Sequence, residues 1–461
     1  MLVLALAFSV LFAPKTMRLD YFHTGDRGRE IVALDRIVSD GPWAGSTTRL
    51  LDELNLGTYF FEIVDPESNR VVYSRGFASL YGEWEATDEF KITARTFHES
   101  FRFPWPKTPV QVVLKKRGPD GTFHEIWSTR VDPSSPAANA ADAPPTGKVW
   151  TVFESGPATE KVDLLIVGEG YTAAELPKFH ADVRRLTGKL FATEPFKSRK
   201  SDFNVRAIDL PAARSGVNRP HVGKFRRTPV SAEYYVFESE RYMLTYDNRA
   251  LRDTLSQAPY EFIEILANEK QYGGGGIYGF QATAAVDTAF ADYVFVHEFG
   301  HHFAGLADEY YMSPAVTTVF PANAPEPWEP NVTALRDPAA LKWKDLVETR
   351  TPVPTPWDKD AWEAKARDFL NRRLALIARK APEEEFDALF REQQRVDAPM
   401  LAGMTYAHTV GAFEGAAYQA KGLYRPETDC IMYTRDEVGF CRVCRRAIER
   451  VIDLYAAPSP P

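Results

Sequence analysis

Hydrophobic and polar positions follow two different patterns along the chain. Residues 17–133 contain short apolar segments rich in β-branched and aromatic residues, which predict strands at YFFEIV, RVVYSRGF and VQVVLKKRGPDGTFHEIWSTRV. A Pro-Asp-Gly turn at residues 119–121 joins the last two of these strands. We therefore expect residues 17–133 to form a small all-β, sandwich-like domain.

The pattern changes after residue 133. Residues 134–148 are dense in Pro and Ala and show no apolar periodicity, so they predict a linker. The segment KVDLLIVGEGYTAAELPKFHADVRRLTGKLF then predicts a buried strand, a turn and an amphipathic helix that Thr172 and Glu175 cap. A second domain of mixed α/β character is therefore expected over residues 149–461.

Residues 355–400 form a separate block inside that second domain. The segments DKDAWEAKARDFLNRRLALIARK and APEEEFDALFREQQR place apolar residues at helical spacing among many opposite charges. This pattern predicts two exposed helices. We interpret the block as a helical insertion that forms a surface lobe.

The first residues, MLVLALAFSVLFAPK, form an apolar segment that ends at Pro14 and Lys15. The segment is too short to span a bilayer, and its length fits the apolar part of a secretory signal. Residues 1–16 are therefore expected to be signal-like, and the protein to be exported to the medium, the periplasm or the cell surface. The alternatives are a retained anchor and a buried N-terminal strand or helix. Nothing later in the sequence approaches a transmembrane span.

Length and composition narrow the class of protein. The 461 residues exceed what one hydrophobic core usually holds, which agrees with two domains. Hydrophobic residues make up 44% and charged residues 26% of the chain, as in soluble globular proteins. The formal net charge of −8 gives no basic surface for phosphate groups, so nucleic acid is not an expected partner.

The three cysteines, Cys430, Cys441 and Cys444, lie close together in the sequence. A CxxC pair with one further Cys and no fourth ligand of the usual kind nearby makes a poor structural zinc site. In an exported protein the expected state is one local disulfide, from Cys430 to Cys441 or Cys444. One thiol would be left over, and the odd count leaves the pairing open.

The segment DYVFVHEFGHHFAGLADEYY, residues 292–311, contains an HExxH motif formed by His297, Glu298 and His301. On a helix, positions i and i+4 share a face, so both imidazoles can bind one Zn²⁺ ion while Glu298 reaches a water at the metal. The alternative is a polar patch on a core helix. Without an ion, however, burying two imidazoles and a carboxylate would be costly.

A catalytic zinc ion needs a third protein ligand. Gly305 is a natural helix terminator, and Asp308 follows it by three residues, so the returning chain can bring this carboxylate to the metal. Asp308 is favoured, with Glu309 as the alternative, because spacing alone does not define the path of the chain. His302 points away from the shared face and is expected behind the ligands or at the surface.

Four consecutive glycines precede the motif in the segment YGGGGIYGFQATAAVDT, residues 272–288. Glycines of this kind most often mark a flexible turn. Beside a catalytic helix they also allow a substrate backbone to approach closely. The candidate substrate-binding residues are Gly274, Gly275, Gly276, Ile277 and Tyr278.

The segment HEFGHHFAGLADEYY resembles the signature of the IgA-peptidase family of secreted bacterial zinc metallopeptidases, which is similar to the metzincins. Further similar blocks are DLLIVGEGYTAAE, GGGGIYG, EPNVT, VGAFEGAAYQAKGLYRP and CIMYTRDEVGFCRVC. The resemblance covers most of residues 149–455, and residues 17–133 resemble the family's N-terminal β domain. The metzincin pattern HExxHxxGxxH, or Asp in the last place, is longer here by one residue before Gly305.

The resemblance implies a metzincin-like α/β (α+β) zinc peptidase domain behind the β domain. Met432, in CIMY, corresponds to the methionine turn beneath the zinc ion; the alternative is an ordinary core methionine. The implied function is a zinc endopeptidase that cleaves extracellular proteins or peptides, with Glu298 as general base. The alternative is an exported binding or adhesion protein whose zinc is only structural, but such a protein does not need Glu298.

Overall fold

The computed structural model describes residues 8–312 and 324–457. Its N-terminal part contains the short helix α1 (Leu80–Glu85) and the strands β1 (Phe12–Asp26), β2 (Arg29–Pro42), β3 (Tyr59–Asp65), β4 (Arg70–Phe77), β5 (Arg95–Pro106), β6 (Val110–Arg117), β7 (Phe123–Val131) and β8 (Ala138–Asn139). These strands form two four-stranded sheets, with the orders β5-β1-β2-β8 and β4-β3-β6-β7.

Aromatic side chains fill the space between these two sheets. Phe61 of β3 stacks on Phe101 of β5, with ring centroids 4.9 Å apart. Tyr21 of β1 also stacks on Phe101, with ring centroids 4.5 Å apart. Residues of β3 alternate between buried and less buried positions, as expected for a strand with one face in a core. The strands predicted at β3, β4, β6 and β7 are present.

The ends of this β region differ from the sequence expectation. Phe8 and Phe12 are buried, and strand β1 begins at Phe12, so residues 8–16 belong to the folded β region. This corrects the boundary of the expected signal-like segment, whose residues 1–7 lie outside the described residues. The expected linker, 134–148, is also attached to the sheet, because β8 pairs with β2.

Among its described residues, the second part of the chain contains a six-stranded sheet, two hairpins and six α-helices. Its strands are β9 (Lys148–Phe153), β10 (Val162–Glu169), β11 (Phe203–Asp209), β12 (Ala232–Tyr234), β13 (Met243–Thr245), β14 (Phe262–Ala267), β15 (Gly274–Ile277), β16 (Gln281–Ala285), β17 (Phe413–Ala416) and β18 (Gln419–Arg425). Its helices are α2 (Leu176–Leu190), α3 (Asn248–Leu255), α4 (Ala291–Ala304), α5 (Lys359–Ala378), α6 (Glu383–Ala402) and α7 (Arg442–Tyr455).

The six-stranded sheet has the order β15-β16-β14-β10-β11-β9. Its four inner strands are parallel, and the two edge strands, β15 and β9, are antiparallel to their neighbours. Every residue of β10 is buried, as its continuous apolar sequence predicts. Thr172 and Glu175 form the predicted capping box before α2. The chain is therefore a mixed α/β protein with an N-terminal β region.

Helices α5 and α6 are both present, but they are not a peripheral lobe. Trp362 of α5 is buried, and its ring lies 5.2 Å from Tyr433 and 5.6 Å from Tyr311. Phe390 of α6 is also buried and lies 5.7 Å from Phe290, just before α4. One face of this helix pair therefore belongs to the core, although its charge pattern predicted exposed helices.

No helix among the described residues is both long enough and apolar enough to cross a membrane. The longest helices, α5 and α6, have 20 residues each, and both carry many charged residues along their length.

Candidate metal centre

Helix α4 carries the HExxH motif and is held in the core by its apolar residues. Val294, Phe295, Phe299 and Phe303 are buried along it. The helix ends at Gly305, which has a φ of 59° and donates its N–H to the carbonyls of the last turn. This is the predicted termination, and it turns the chain back toward the open face of the motif.

Three ligand atoms meet at this turn. The Nε2 atoms of His297 and His301 lie 3.1 Å apart, and Asp308 Oδ1 lies 3.1 Å from the first and 3.3 Å from the second. Tetrahedral zinc with nitrogen and oxygen ligands has edges of about 3.3–3.4 Å. The three atoms therefore match one face of such a site. A carboxylate oxygen of Glu298 lies within 4.8 Å of ligand atoms of both histidines.

The hydrogen bonds of the two histidines leave their Nε2 atoms free to bind a cation. His297 Nδ1 donates to the carbonyl of Ile431 at 2.9 Å, and His301 Nδ1 donates to the carbonyl of Leu306. Since a carbonyl only accepts, each proton is on Nδ1. Asp308 Oδ1 is buried and has no hydrogen-bond partner among the described residues. This set of donor atoms fits a metal ion.

The electrostatics of the site also favour a cation. Burial alone would lower the pKa of His301, but the negative charges of Asp308 and Glu298 raise it to about 9, and a bound metal ion would take the place of that extra proton on Nε2. Burial opposes ionisation of Asp308, yet the two imidazoles hold its pKa well below the usual range. For Glu298, burial raises the pKa above its ordinary value. A carboxyl with a raised pKa is a stronger base when ionised.

Asp308 is held in place by a tyrosine that sequence reasoning missed. Tyr418 donates its hydroxyl to Asp308 Oδ2, and the hydroxyl of Tyr310 lies 3.3 Å from that of Tyr418. The side chain of Glu309 points elsewhere, and its Oε1 atom lies 3.3 Å from Cys444 Sγ. The structure therefore brings Asp308, and not Glu309, to the two imidazoles.

The turn that contains Met432 lies directly beneath α4. Met432 is fully buried, and its Sδ atom lies 3.2 Å from the place that a Cβ on Gly300 would take. The carbonyl of Met432 accepts the N–H of Glu309 at 2.7 Å, while the preceding carbonyl, of Ile431, accepts from His297. The turn thus supports both the helix and the segment that follows it.

Comparison with known families agrees with this geometry. A family model for IgA peptidase M64 matches residues 151–452, and one for the peptidase M64 N-terminus matches residues 7–128. The chain belongs to the IgA peptidase M64 family. The protein is therefore a peptidase of a metallopeptidase family, with proteins or peptides as substrates, and the alternative of a non-enzymatic binding protein is not favoured. A search of curated proteins found no match.

The glycine-rich segment of this M64 peptidase is a strand, and not a flexible turn. A Cβ on Gly276 would lie 2.3 Å from the carbonyl oxygen of Glu298, and one on Gly274 would lie 2.9 Å from Glu298 Cγ. The glycines therefore let β15 pack tightly against α4. A Cβ on Gly275 would lie 2.7 Å from the ring of Tyr242. Ile277 is the last residue of β15, and Tyr278 follows it. Their role in substrate binding stays a prediction.

His302 of the M64 peptidase is not at the surface. It is fully buried, accepts the N–H of Ile263 at its Nε2 atom (3.1 Å), and donates from Nδ1 to the carbonyl of Ile277 (2.9 Å). Burial lowers the pKa of His302 to about 3, so the ring stays neutral. It ties α4 to β14 and β15, a role that the motif spacing does not reveal.

The cleft above the motif has a volume of about 550 Å³. Its walls come from three parts of the M64 peptidase: Glu83 from the N-terminal region, Tyr278 and Trp328 from the peptidase region, and Trp362 and Arg373 from α5. Burial raises the pKa of Glu83 to about 7. None of these residues except Tyr278 was singled out by the sequence, because each reaches the cleft only through tertiary packing.

Proposed function

We propose that the protein is a zinc-dependent endopeptidase in which His297, His301 and Asp308 hold one catalytic zinc ion. The observation that carries this proposal is the convergence of the two Nε2 atoms and Asp308 Oδ1 at 3.1–3.3 Å. A zinc ion bound there would lower the pKa of a water molecule and polarise the scissile carbonyl. The metallopeptidase family agrees with this chemistry.

Glu298 is the general base in this proposal. It follows His297 directly, and one of its carboxylate oxygens lies within 4.8 Å of ligand atoms of both histidines. Its carboxylate takes the proton of the attacking water and passes it to the leaving amine. Met432 acts as the methionine of the turn beneath the site, supported by its contact with the helix at Gly300.

The substrate would lie extended along β15, the edge strand beside α4, and form main-chain hydrogen bonds with the part of the strand after Gly274, whose N–H already donates to the carbonyl of Arg241. The nearby residues Gly274, Gly276 and Tyr278 line the cleft, which supports this direction of binding. We further propose that the protein is exported and acts on extracellular proteins, because its first residues have the apolar character of a secretory signal. Since residues 8–16 pack into the β region, this part of the segment would stay on the folded protein.

Replacement of Glu298 by Gln tests the proposal. The variant should keep its zinc and its fold while peptide hydrolysis falls about 10²–10⁴-fold, because the water loses its base. Zinc analysis and cleavage of a peptide library measure both effects. The exposed variant Glu437→Gln should behave as the wild type. Wild-type turnover in Glu298→Gln would overturn the role of Glu298 as general base.

The ligand assignment has its own test. Asp308→Ala should remove the catalytic zinc together with hydrolysis, as should His301→Ala. A titration in which Asp308→Ala binds the catalytic zinc as tightly as the wild type would contradict the role of Asp308.

A further inference from the structure

A second group of possible metal ligands lies apart from the histidines. It comprises Glu309, Cys430, Cys441 and Cys444, and one ligand atom of each lies within 4.8 Å of the others. All four residues are buried. The three cysteines are free thiols, which corrects the expectation of a disulfide. The sequence suggested no fourth ligand because Glu309 is 132 residues from Cys441 along the chain.

The distances in this group match a tetrahedral zinc site. The Sγ atoms of Cys430 and Cys444 are 3.9 Å apart, and Glu309 Oε1 lies 3.9 Å from Cys441 Sγ and 3.3 Å from Cys444 Sγ. Zinc–sulfur bonds of 2.3 Å give a sulfur–sulfur edge of about 3.8 Å in a tetrahedron. The four atoms therefore have the spacing of a complete ligand set.

Backbone N–H groups point at the sulfurs. Cys441 is the N-cap of α7 and accepts the N–H of Cys444 at 3.5 Å. Cys430 Sγ accepts the N–H of Met432 at 3.5 Å and that of Cys441 at 3.3 Å. Donors of this kind, together with the N-terminus of a helix, stabilise thiolates, and the thiolate is the form of cysteine that binds metals.

Glu309 gives independent evidence for a cation at this place. Its side chain is completely buried, and its Oε2 atom has no hydrogen-bond partner among the described residues. Asn331 Nδ2 donates to the other oxygen, Oε1, at 3.0 Å and orients the carboxylate toward the sulfurs. A buried carboxylate without a cation is unfavourable. A disulfide would leave the negative charge of this carboxylate uncompensated and one buried thiol over, whereas a metal ion bound by Oε1 and the three sulfurs compensates that charge.

We propose that Glu309, Cys430, Cys441 and Cys444 bind a second zinc ion with a structural role. The three thiols release their protons on binding, and the four protein ligands leave no open position for substrate. Because Asp308 and Glu309 are consecutive, this ion fixes the segment that presents Asp308 to the histidines. It also anchors the start of the turn that contains Met432. The proposal does not rest on the catalytic role of the first site.

Metal analysis of purified variants tests the proposal. The wild type should contain two zinc ions per chain, and Glu298→Gln should contain two as well. His301→Ala should lose the ion of the first site and keep the ion bound by the cysteines. Cys444→Ser should lose the ion bound by the cysteines and keep the first. Glu309→Gln should weaken the binding of one ion at least tenfold in a chelator titration, while Glu427→Gln, a nearby change outside the group, should not.

Two measurements do not depend on the folding of a cysteine variant. Protein denatured with a chelator and without a reductant should show three reactive thiols per chain. Cobalt(II) loaded into His301→Ala should show the near-ultraviolet absorption of thiolate-to-cobalt charge transfer. One reactive thiol per chain would reveal a disulfide and overturn the proposal. So would the absence of the cobalt absorption, or the loss of all zinc from His301→Ala.

Discussion

At the scale of single residues, Tyr418 is a positioning residue for Asp308. Its hydroxyl donates to Asp308 Oδ2, the oxygen that faces away from the histidines. Tyr418→Phe should therefore weaken catalytic zinc binding about 10–100-fold, as is typical when the hydrogen bond behind a metal ligand is lost. Competition with a chelator measures the affinity. Tyr310→Phe should change it less, because that hydroxyl contacts Tyr418. Equal affinities for Tyr418→Phe and the wild type would exclude this role.

Glu169 makes stability depend on pH. Burial raises the pKa of Glu169 from 4.5 to about 7, although hydrogen bonds from Thr228 and from the N–H groups of Val230 and Ala232 oppose the shift. The folded protein therefore holds this proton more tightly. Below pH 4.5 the protonated side chain contributes its full stability to the fold. As the pH rises to about 7, the free energy of unfolding falls by up to about 3 kcal/mol.

Glu169→Gln should remove this dependence. Thermal unfolding between pH 4.5 and 7 should show the variant gaining stability relative to the wild type as the pH rises. Glu437→Gln serves as the control, since its side chain is exposed. Parallel melting curves for Glu169→Gln and the wild type over this range would contradict the assignment.

At the scale of elements, the contact between β15 and α4 requires glycine. A Cβ on Gly276 would lie 2.3 Å from the carbonyl oxygen of Glu298 and 2.8 Å from His301 Cβ. Gly276→Ala should therefore push the strand from the helix, lower stability by about 1–3 kcal/mol and reduce hydrolysis. Gly188→Ala, in helix α2 with no atom within 4 Å of the new Cβ, should be neutral or stabilising. Unchanged melting and activity in Gly276→Ala would disprove this tight packing.

Helices α5 and α6 provide a cleft wall with a cationic side chain. Arg373 lines the cleft, and no carboxylate among the described residues pairs with it. Burial, together with nearby Arg435 and Arg241, lowers the pKa of Arg373 to about 9. A substrate carboxylate bound beside Arg373 would therefore stabilise its charged form. The neighbouring Arg372 instead pairs with Glu392 on the outer surface.

Arg373→Ala should therefore raise KM for peptides with acidic residues more than for neutral peptides, whereas Arg372→Ala should alter neither. Equal effects of Arg373→Ala on both classes of peptide would contradict a role of this residue in selectivity. Replacing residues 358–396 with a Gly/Ser linker would not isolate this role. The deletion would uncover apolar side chains such as Tyr433 and Phe290.

At the scale of the whole molecule, a buried ion network joins the N-terminal sheets to the peptidase region. Arg18 binds Asp40 at 2.6 Å and reaches Asp253 of α3. Asp40 also pairs with Arg102 and accepts the hydroxyl of Tyr260. These contacts hold the N-terminal region against the peptidase region, and Glu83 of α1 lines the cleft.

Removing one charged side chain of this network should strongly destabilise the protein. Asp40→Ala leaves Arg102 without a carboxylate and removes one of the carboxylates that pair with buried Arg18, which should destabilise the protein by about 3–5 kcal/mol. Asp88→Ala, which removes an exposed pair with Lys91, should have little effect. Chemical denaturation compares the two variants. A loss in Asp40→Ala no larger than that in Asp88→Ala would show that the network does not join the two regions.

The sequence by itself determined the features that depend on local pattern. The strands β3, β4, β6 and β7 lie where alternating residues and a turn placed them, and the capping box before α2 is present. The HExxH spacing likewise placed His297 and His301 on one helical face. These predictions succeed because backbone periodicity and capping involve residues only a few positions apart.

Only the tertiary structure decided which distant residues meet. Asp308 and Glu309 are neighbours with similar side chains, yet one faces the histidines and the other faces the three cysteines. The charged helices around residues 355–400 turn an apolar face to the core, and residues 8–16 join the first sheet. Contacts between residues more than a hundred positions apart, such as His297 with Ile431, depend on how whole elements pack, which local spacing does not encode.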